Sequence, residues 1–224
     1  FAELPAIQKI IIAKSKELNK AVITATQMME SMNYNSIPTR AEVSDVANAV
    51  LEGTDAVMLS AETASGQYPV QTVAAMAEVC LAAERQHMRP FLQQPNLERN
   101  FTRVDEAIAM AAMYTANHLE VKAIVALTAS GITALLMSRI HSEIPVYGIS
   151  NNKAARGKMT LYRGVYPVDF DISVFKRWEV IRAVLNALRD HGTLHVGERV
   201  IITRGDVVGI SGGANALKIV TVSN

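Results

Sequence analysis

The sequence predicts an α/β protein built in two successive blocks, each with a mostly parallel sheet. Three observations predict it. Helix-period and strand-period patterns alternate along the 224 residues. The strand candidates are short, continuous apolar runs, as expected of strands covered on both faces. A polar, proline-bearing stretch, RPFLQQPNLERNFT at 89–102, separates one alternating block from the next.

In the first block, Ile7, Ile10, Ile11 and Leu18 recur at near-helical spacing and predict a helix over about 5–19. Ala21 to Ala25 is a short strand, rich in β-branched residues. Pro38 and the run Thr39-Arg40-Ala41-Glu42 open a helix that continues through Val50. Thr39 is its N-cap, and Glu42, three residues on, completes a capping box. Gly53 ends that helix, and Ala56 to Leu59 is the second strand. Ser60 to Pro69 reads as a loop, followed by a helix at about 70–88. These are two βα units of a parallel sheet. Two strands cannot close a barrel, so the block requires further strands.

The second block follows the linker. Helices are expected at about 103–118, 131–141, 152–159 and 174–190. Strands are expected at Val121–Thr128, Pro145–Ile149, Gly164–Phe170, Arg199–Thr203 and Leu217–Val222. This is a complete small α/β domain, its mostly parallel sheet covered by helices.

Composition narrows the function classes. Half of the residues are apolar, ample for a core. Twenty-two Lys and Arg against 21 Asp and Glu leave a net charge of +1, which gives no reason to expect nucleic acid. No apolar run reaches the roughly 18 residues of a membrane span. The single cysteine, Cys80, rules out an intrachain disulfide and suits a reducing cytoplasm. The opening FAELPAIQKI has no signal-peptide pattern and no initiator Met, so the chain is expected to begin inside a fold.

Three segments carry chemical groups. Thr24 to Met32 (TATQMMESM) follows the first strand, where the hydroxyl of Thr26 and the amide of Gln27 can donate to an anion. The alternative is that Thr26 caps a helix and the methionines fill core. Met58 to Gly66 (MLSAETASG) ends the second strand. Ser60 and Glu62 there form either a short proton path or part of a turn. Thr128 to Thr133 (TASGIT) lies between strand and helix, where backbone N–H groups and hydroxyls suit a phosphate, although such turns also occur without ligand. The turn Ser211-Gly212-Gly213-Ala214-Asn215 is a candidate to face it. Lys153, Arg156 and Lys158 either neutralise a phosphate or solvate a helix face. Trp178 reads as a partly buried anchor. His191 and His195, with Gly192 between them, do not read as a metal pair.

Together, ATQMMESM, PTRAEVSDVANAVLEGTDAVMLSAETASGQYP and TASGIT, in this order and separation, resemble the pyruvate kinase family, nearer its bacterial members. The resemblance implies that residues 1–87 are the last two βα units of a TIM-type (β/α)8 barrel. Residues 88–224 would then be a three-layer α/β regulatory domain. It implies phosphoryl transfer from phosphoenolpyruvate to ADP, giving pyruvate and ATP, with Mg2+ and K+. Thr26 would lie beside the substrate and assist enolate protonation, with Gln27 in support. Ser60 and Glu62 would supply protons, and Ser65 would lie near the nucleotide. Arg40 would lie by a subunit interface. Thr128, Ser130, Gly131 and Thr133 would hold the phosphate of a sugar-phosphate or nucleotide effector.

A cytoplasmic homotetramer is implied as well. Ala61 stands where the family commonly has Gly, Ile132 follows the loop glycine, and the SGGAN turn differs from a more usual Thr-containing one. The family's catalytic lysine and metal-binding carboxylates precede the point where this sequence starts, so the chain alone is expected to be inactive. The rival reading is a binding module that senses a sugar phosphate or nucleotide without catalysis.

Overall fold

The computed structural model describes residues 3–25, 27–86, 100–206 and 212–223. The chain divides into two compact units, Phe1–Gln93 and Gln94–Asn224. The boundary expected at 87/88, and most of the linker, lie outside the described residues.

The first unit contains α1 (Leu4–Glu17), β1 (Ile23–Ala25), a 3-10 turn (Glu30–Asn33), α2 (Arg40–Glu52), β2 (Ala56–Met58), α3 (Ala61–Ala64) and α4 (Pro69–Gln86). Strands β1 and β2 pair in parallel, Ile23 opposite Ala56 and Ala25 opposite Met58. The expected capping box is present on α2, which ends at Gly53 in the left-handed conformation. Met28, Met29 and Met32 pack with Val46 and Ala49 of α2 and Met76 of α4, so these methionines do fill core. The apolar row of α1 is uncovered within this unit, and Ile10 is 66% exposed. The span 60–69, expected as a loop, contains α3. Its first turn forms because the Ser60 carbonyl accepts N–H bonds from Thr63 (3.2 Å) and Ala64 (3.0 Å).

The second unit contains α5 (Val104–His118), β3 (Ala123–Leu127), α6 (Ile132–Ser138), β4 (Val146–Ser150), α7 (Lys153–Met159), β5 (Val165–Asp169), α8 (Val180–Asp190), β6 (Arg199–Gly205) and β7 (Ala214–Thr221). The sheet order is β5-β4-β3-β6-β7, parallel except for the β6–β7 pair. Alternate residues of the buried strands face opposite sides. Ile124, Ala126 and Ile201 pack with apolar residues of α5, α6 and α7; Ala123, Val125 and Ile202 pack with Val184, Leu185 and Leu188 of α8. Helices therefore cover both faces of this sheet.

One expected element is shorter than its pattern suggests. The helix placed at 174–190 begins only at Val180, after a 3-10 turn at Ile172–Val174 and an extended Phe175. Asp171 accepts bonds from Ser173 N (2.9 Å) and Ser173 Oγ (2.6 Å), a local alternative that competes with helix. Trp178 consequently lies in a turn and is 76% exposed, with the Lys176 ammonium 5.3 Å from its ring centroid, rather than anchored in the core. Among the described residues, no helix is long and apolar enough to cross a membrane.

Candidate functional site

Two places bring the chemical groups together, one in each unit. In the first, the segments that follow the paired strands β1 and β2 meet at Glu62. This carboxylate is 3% exposed. It accepts the backbone N–H of Ser60 at 2.7 Å and that of Met29 at 3.3 Å, so its buried oxygens have fixed donors from both segments. The link between Ser60 and Glu62 thus runs through the Ser60 backbone N–H, and the Ser60 residue is exposed. Gly66 is required behind it, since a Cβ there would stand 2.5 Å from the Glu62 carbonyl oxygen. Ser65 is exposed, and its Oγ donates to the Ala61 carbonyl at 3.3 Å.

Gln27 is exposed and has φ +53, a left-handed conformation uncommon for a residue with a side chain. Met28 and Met29, both buried, follow directly and hold the chain in that bend. Thr26 lies outside the described residues.

Glu42 organises the same region from below. Its Oε1 accepts Ser31 N at 2.6 Å, and its Oε2 accepts Ser31 Oγ at 2.6 Å and Thr39 N at 2.8 Å. Partial burial pushes this carboxyl up, but the bonds from Ser31 and Thr39 outweigh it and hold the group below its ordinary value.

In the second unit, a cavity of about 320 Å³ opens at the C-terminal ends of β3, β4, β5 and β6. Chain connections leave β3 for β4 on one side and return to β6 on the other, the position at which open α/β sheets place ligands. Thr128, Ala129 and Thr133 line it from the first loop, Ser150 and Asn151 from the second, Asp171 and Ser173 from the third. Arg177, Arg204 and Asp206 add charge, and Gly212, Gly213 and Ala214 complete the lining. The two loops expected to face each other, TASGIT and the described part of SGGAN, do line one cavity. Ser211 lies outside the described residues.

Within the first loop the candidates differ. Thr128 and Thr133 contribute to the lining, whereas Ser130 and Gly131 do not. The Gly131 N–H donates to Thr128 Oγ1 at 3.0 Å. Gly131 has φ +83, and a Cβ there would stand 3.0 Å from Met159 Cγ, so both conformation and space select glycine. Arg156 faces elsewhere: it donates to the Ser150 carbonyl at 3.0 Å and pairs with Asp169 at 2.8 Å, tying the ends of β4 and β5. Hydrogen bonds from Ser173, side chain and backbone, and from Asn151 hold Asp171 below its ordinary value.

The family described as pyruvate kinase, barrel domain, matches residues 1–73, and the pyruvate kinase alpha/beta domain matches residues 106–220. The chain belongs to the pyruvate kinase family. It is 54% identical over 223 residues to pyruvate kinase II of Salmonella typhimurium, covering 98% of this chain and 46% of that protein. It is 50% identical over 204 residues to the pyruvate kinase of Haemophilus influenzae, covering 91% of this chain and 42% of that one. A crystal structure of a Cryptosporidium parvum pyruvate kinase superposes with a TM-score of 0.84 at 32% identity, over 98% of this chain and 43% of that one. The chain thus spans about half the length of the pyruvate kinases it matches.

The charged pair of the cavity, Arg177 with Asp206, carried no signal in the sequence. Arg177 and Asp206 form an ion pair across 29 positions. Asn215 bonds Asp206 from the neighbouring strand. Only the placement of Arg204 to Asp206 at the C-terminal end of a strand was available beforehand as a hint.

Proposed function

We propose that this chain supplies the proton-delivery side and the regulatory domain of a pyruvate kinase, which transfers a phosphoryl group from phosphoenolpyruvate to ADP to give pyruvate and ATP. The observation that carries the reading is Glu62, which ties together the segments following β1 and β2. Residues 1–87 are then the last two βα units of the (β/α)8 barrel, and 88–224 are the regulatory domain. The uncovered apolar row of α1 and the two-stranded β1–β2 sheet support that assignment, because both need further barrel strands and helices.

Loss of the phosphoryl group leaves an enolate that must take a proton. Thr26 and Gln27 stand by the substrate and Ser60 lies in the proton path. Glu62 keeps their segments in register by holding Met29 N and Ser60 N. Ser65 lies toward the nucleotide.

Mg2+ and K+ would neutralise and position the phosphates. Among the described residues, no group of three or more His, Cys, Asp or Glu is arranged to hold a metal. Glu62 already accepts two backbone N–H groups. The described residues offer these metals no such site, and their ligands are expected in the part of the longer relatives that this chain does not cover. Thr128, Ser130, Gly131 and Thr133 serve a phosphate-bearing sugar or nucleotide effector, with Thr128 and Thr133 reaching the cavity directly. The active assembly is a cytoplasmic homotetramer.

Pyruvate formation tests the reading. The chain alone is expected to form none. A chimera joining the N-terminal half of the Salmonella relative to this chain is expected to be active, and Glu62→Ala in it to lower kcat by about a hundredfold through misplacement. A folded chimera that forms no pyruvate, beside an active Salmonella protein, would favour a phosphate-sensing module instead.

A further inference from the structure

The cavity of the second unit is lined by charges of both signs, although a plain phosphate site needs only cations. Arg177, in the turn before α8, pairs with Asp206 at the end of β6, so the pair bridges two walls. Both side chains are more than half exposed. Asp206 is held independently by Asn215, whose Nδ2 donates to Asp206 Oδ2 at 2.9 Å and whose Oδ1 accepts Asp206 N at 3.1 Å. Asp206 therefore keeps partners when Arg177 leaves it, and its exposure lets water replace the guanidinium.

We propose that Asp206 is an internal competitor for the ligand's anionic group: it holds Arg177 until a phosphate group displaces it, and so lowers the cavity's affinity for anions. The proposal rests on reading this cavity as a phosphate site. A ligand carboxylate offers Arg177 the same charge and the same two oxygens as Asp206, so the exchange brings little gain. A phosphate monoester brings a second negative charge and a third oxygen, and guanidinium binds it through two parallel bonds. An exposed pair such as Arg177–Asp206 is weak enough to be exchanged. Arg204, also in the lining, adds to the attraction for the more highly charged ligand.

The test uses inorganic phosphate and acetate as probes, titrated at constant ionic strength into the wild-type chain, Asp206→Asn, Arg177→Gln and the double variant. Binding is read by phosphorus and carbon NMR, and circular dichroism checks the fold. Trp178, the single tryptophan and next to Arg177, reports movement of the turn by fluorescence. Asp206→Asn is expected to tighten phosphate about two- to fivefold, and acetate by a similar factor because both anions lose the same competitor. Arg177→Gln is expected to weaken phosphate, and the double variant to match Arg177→Gln alone. Unchanged or weaker phosphate binding in Asp206→Asn, with the wild type binding normally, overturns the competition while leaving the site in place. Phosphate bound by no variant and not by the wild type overturns both the competition and the site reading.

Discussion

Glu42 shows how much one side chain can organise. Its two oxygens collect the backbone N–H and hydroxyl of Ser31 and the backbone N–H of Thr39, joining the 3-10 turn to the start of α2. Glu42→Gln keeps the shape but removes the charge and half of the acceptor capacity, and is expected to destabilise the chain by about 1–2 kcal/mol. The effect depends on pH. Because the folded carboxyl titrates below its ordinary value, its contribution is present in full above the unfolded-state value, about 4.3, and is lost as pH falls through the lower folded value. Urea unfolding of wild type and variant should therefore differ at pH 7 and converge as acidification passes through the lowered folded value. A difference that persists unchanged at low pH would assign the loss to shape rather than charge.

At the scale of elements, β6 carries an uncompensated polar group. Thr203 is fully buried between β3 and β7, and its Oγ1 has no hydrogen-bond partner among the described residues. Thr203→Val replaces that hydroxyl by a methyl of similar size and is expected to stabilise the chain by about 1 kcal/mol or more, seen as a higher urea midpoint. Destabilisation by a similar amount would mean that the hydroxyl is satisfied in solution. Most elements of this sheet were legible beforehand. Runs such as Ala123–Leu127 are apolar throughout, and Thr39 with Glu42 marked a helix start by local chemistry alone. The start of α8 was not legible, because the Asp171–Ser173 turn gives the backbone a competing set of bonds before the helical pattern takes over. The charged half of the cavity was hidden for another reason. Asp206 meets Asn215 only because β6 and β7 pair with a register shift at Arg204/Gly205, and Arg177 reaches Asp206 from a turn expected to be helix. Spacing along the chain encodes neither.

On the scale of the whole molecule, the two units differ in how completely each buries its own sheet. The second has five strands with apolar contacts on both faces, and its central strands β3 and β6 each have a partner on either side. In the first, β1 and β2 pair only with each other among the described residues, and Ile7, Ile10, Ile11 and Leu18 remain exposed. A two-stranded sheet is marginal in water, and local opening follows the density of buried apolar contacts. Hydrogen exchange followed by mass spectrometry should show peptides from β3 and β6 as the last to exchange, with peptides covering residues 23–25 and 56–58 opening at much lower free energy. In a chimera that adds the N-terminal half of the Salmonella relative, protection of 23–25 and 56–58 should rise while that of β3 and β6 stays put, if only the first unit gains partners. Equal protection of both units in the chain alone would mean that Met28, Met29 and Met32, packed on α2 and α4, suffice to hold β1 and β2, and that the exposed row of α1 costs the first unit little.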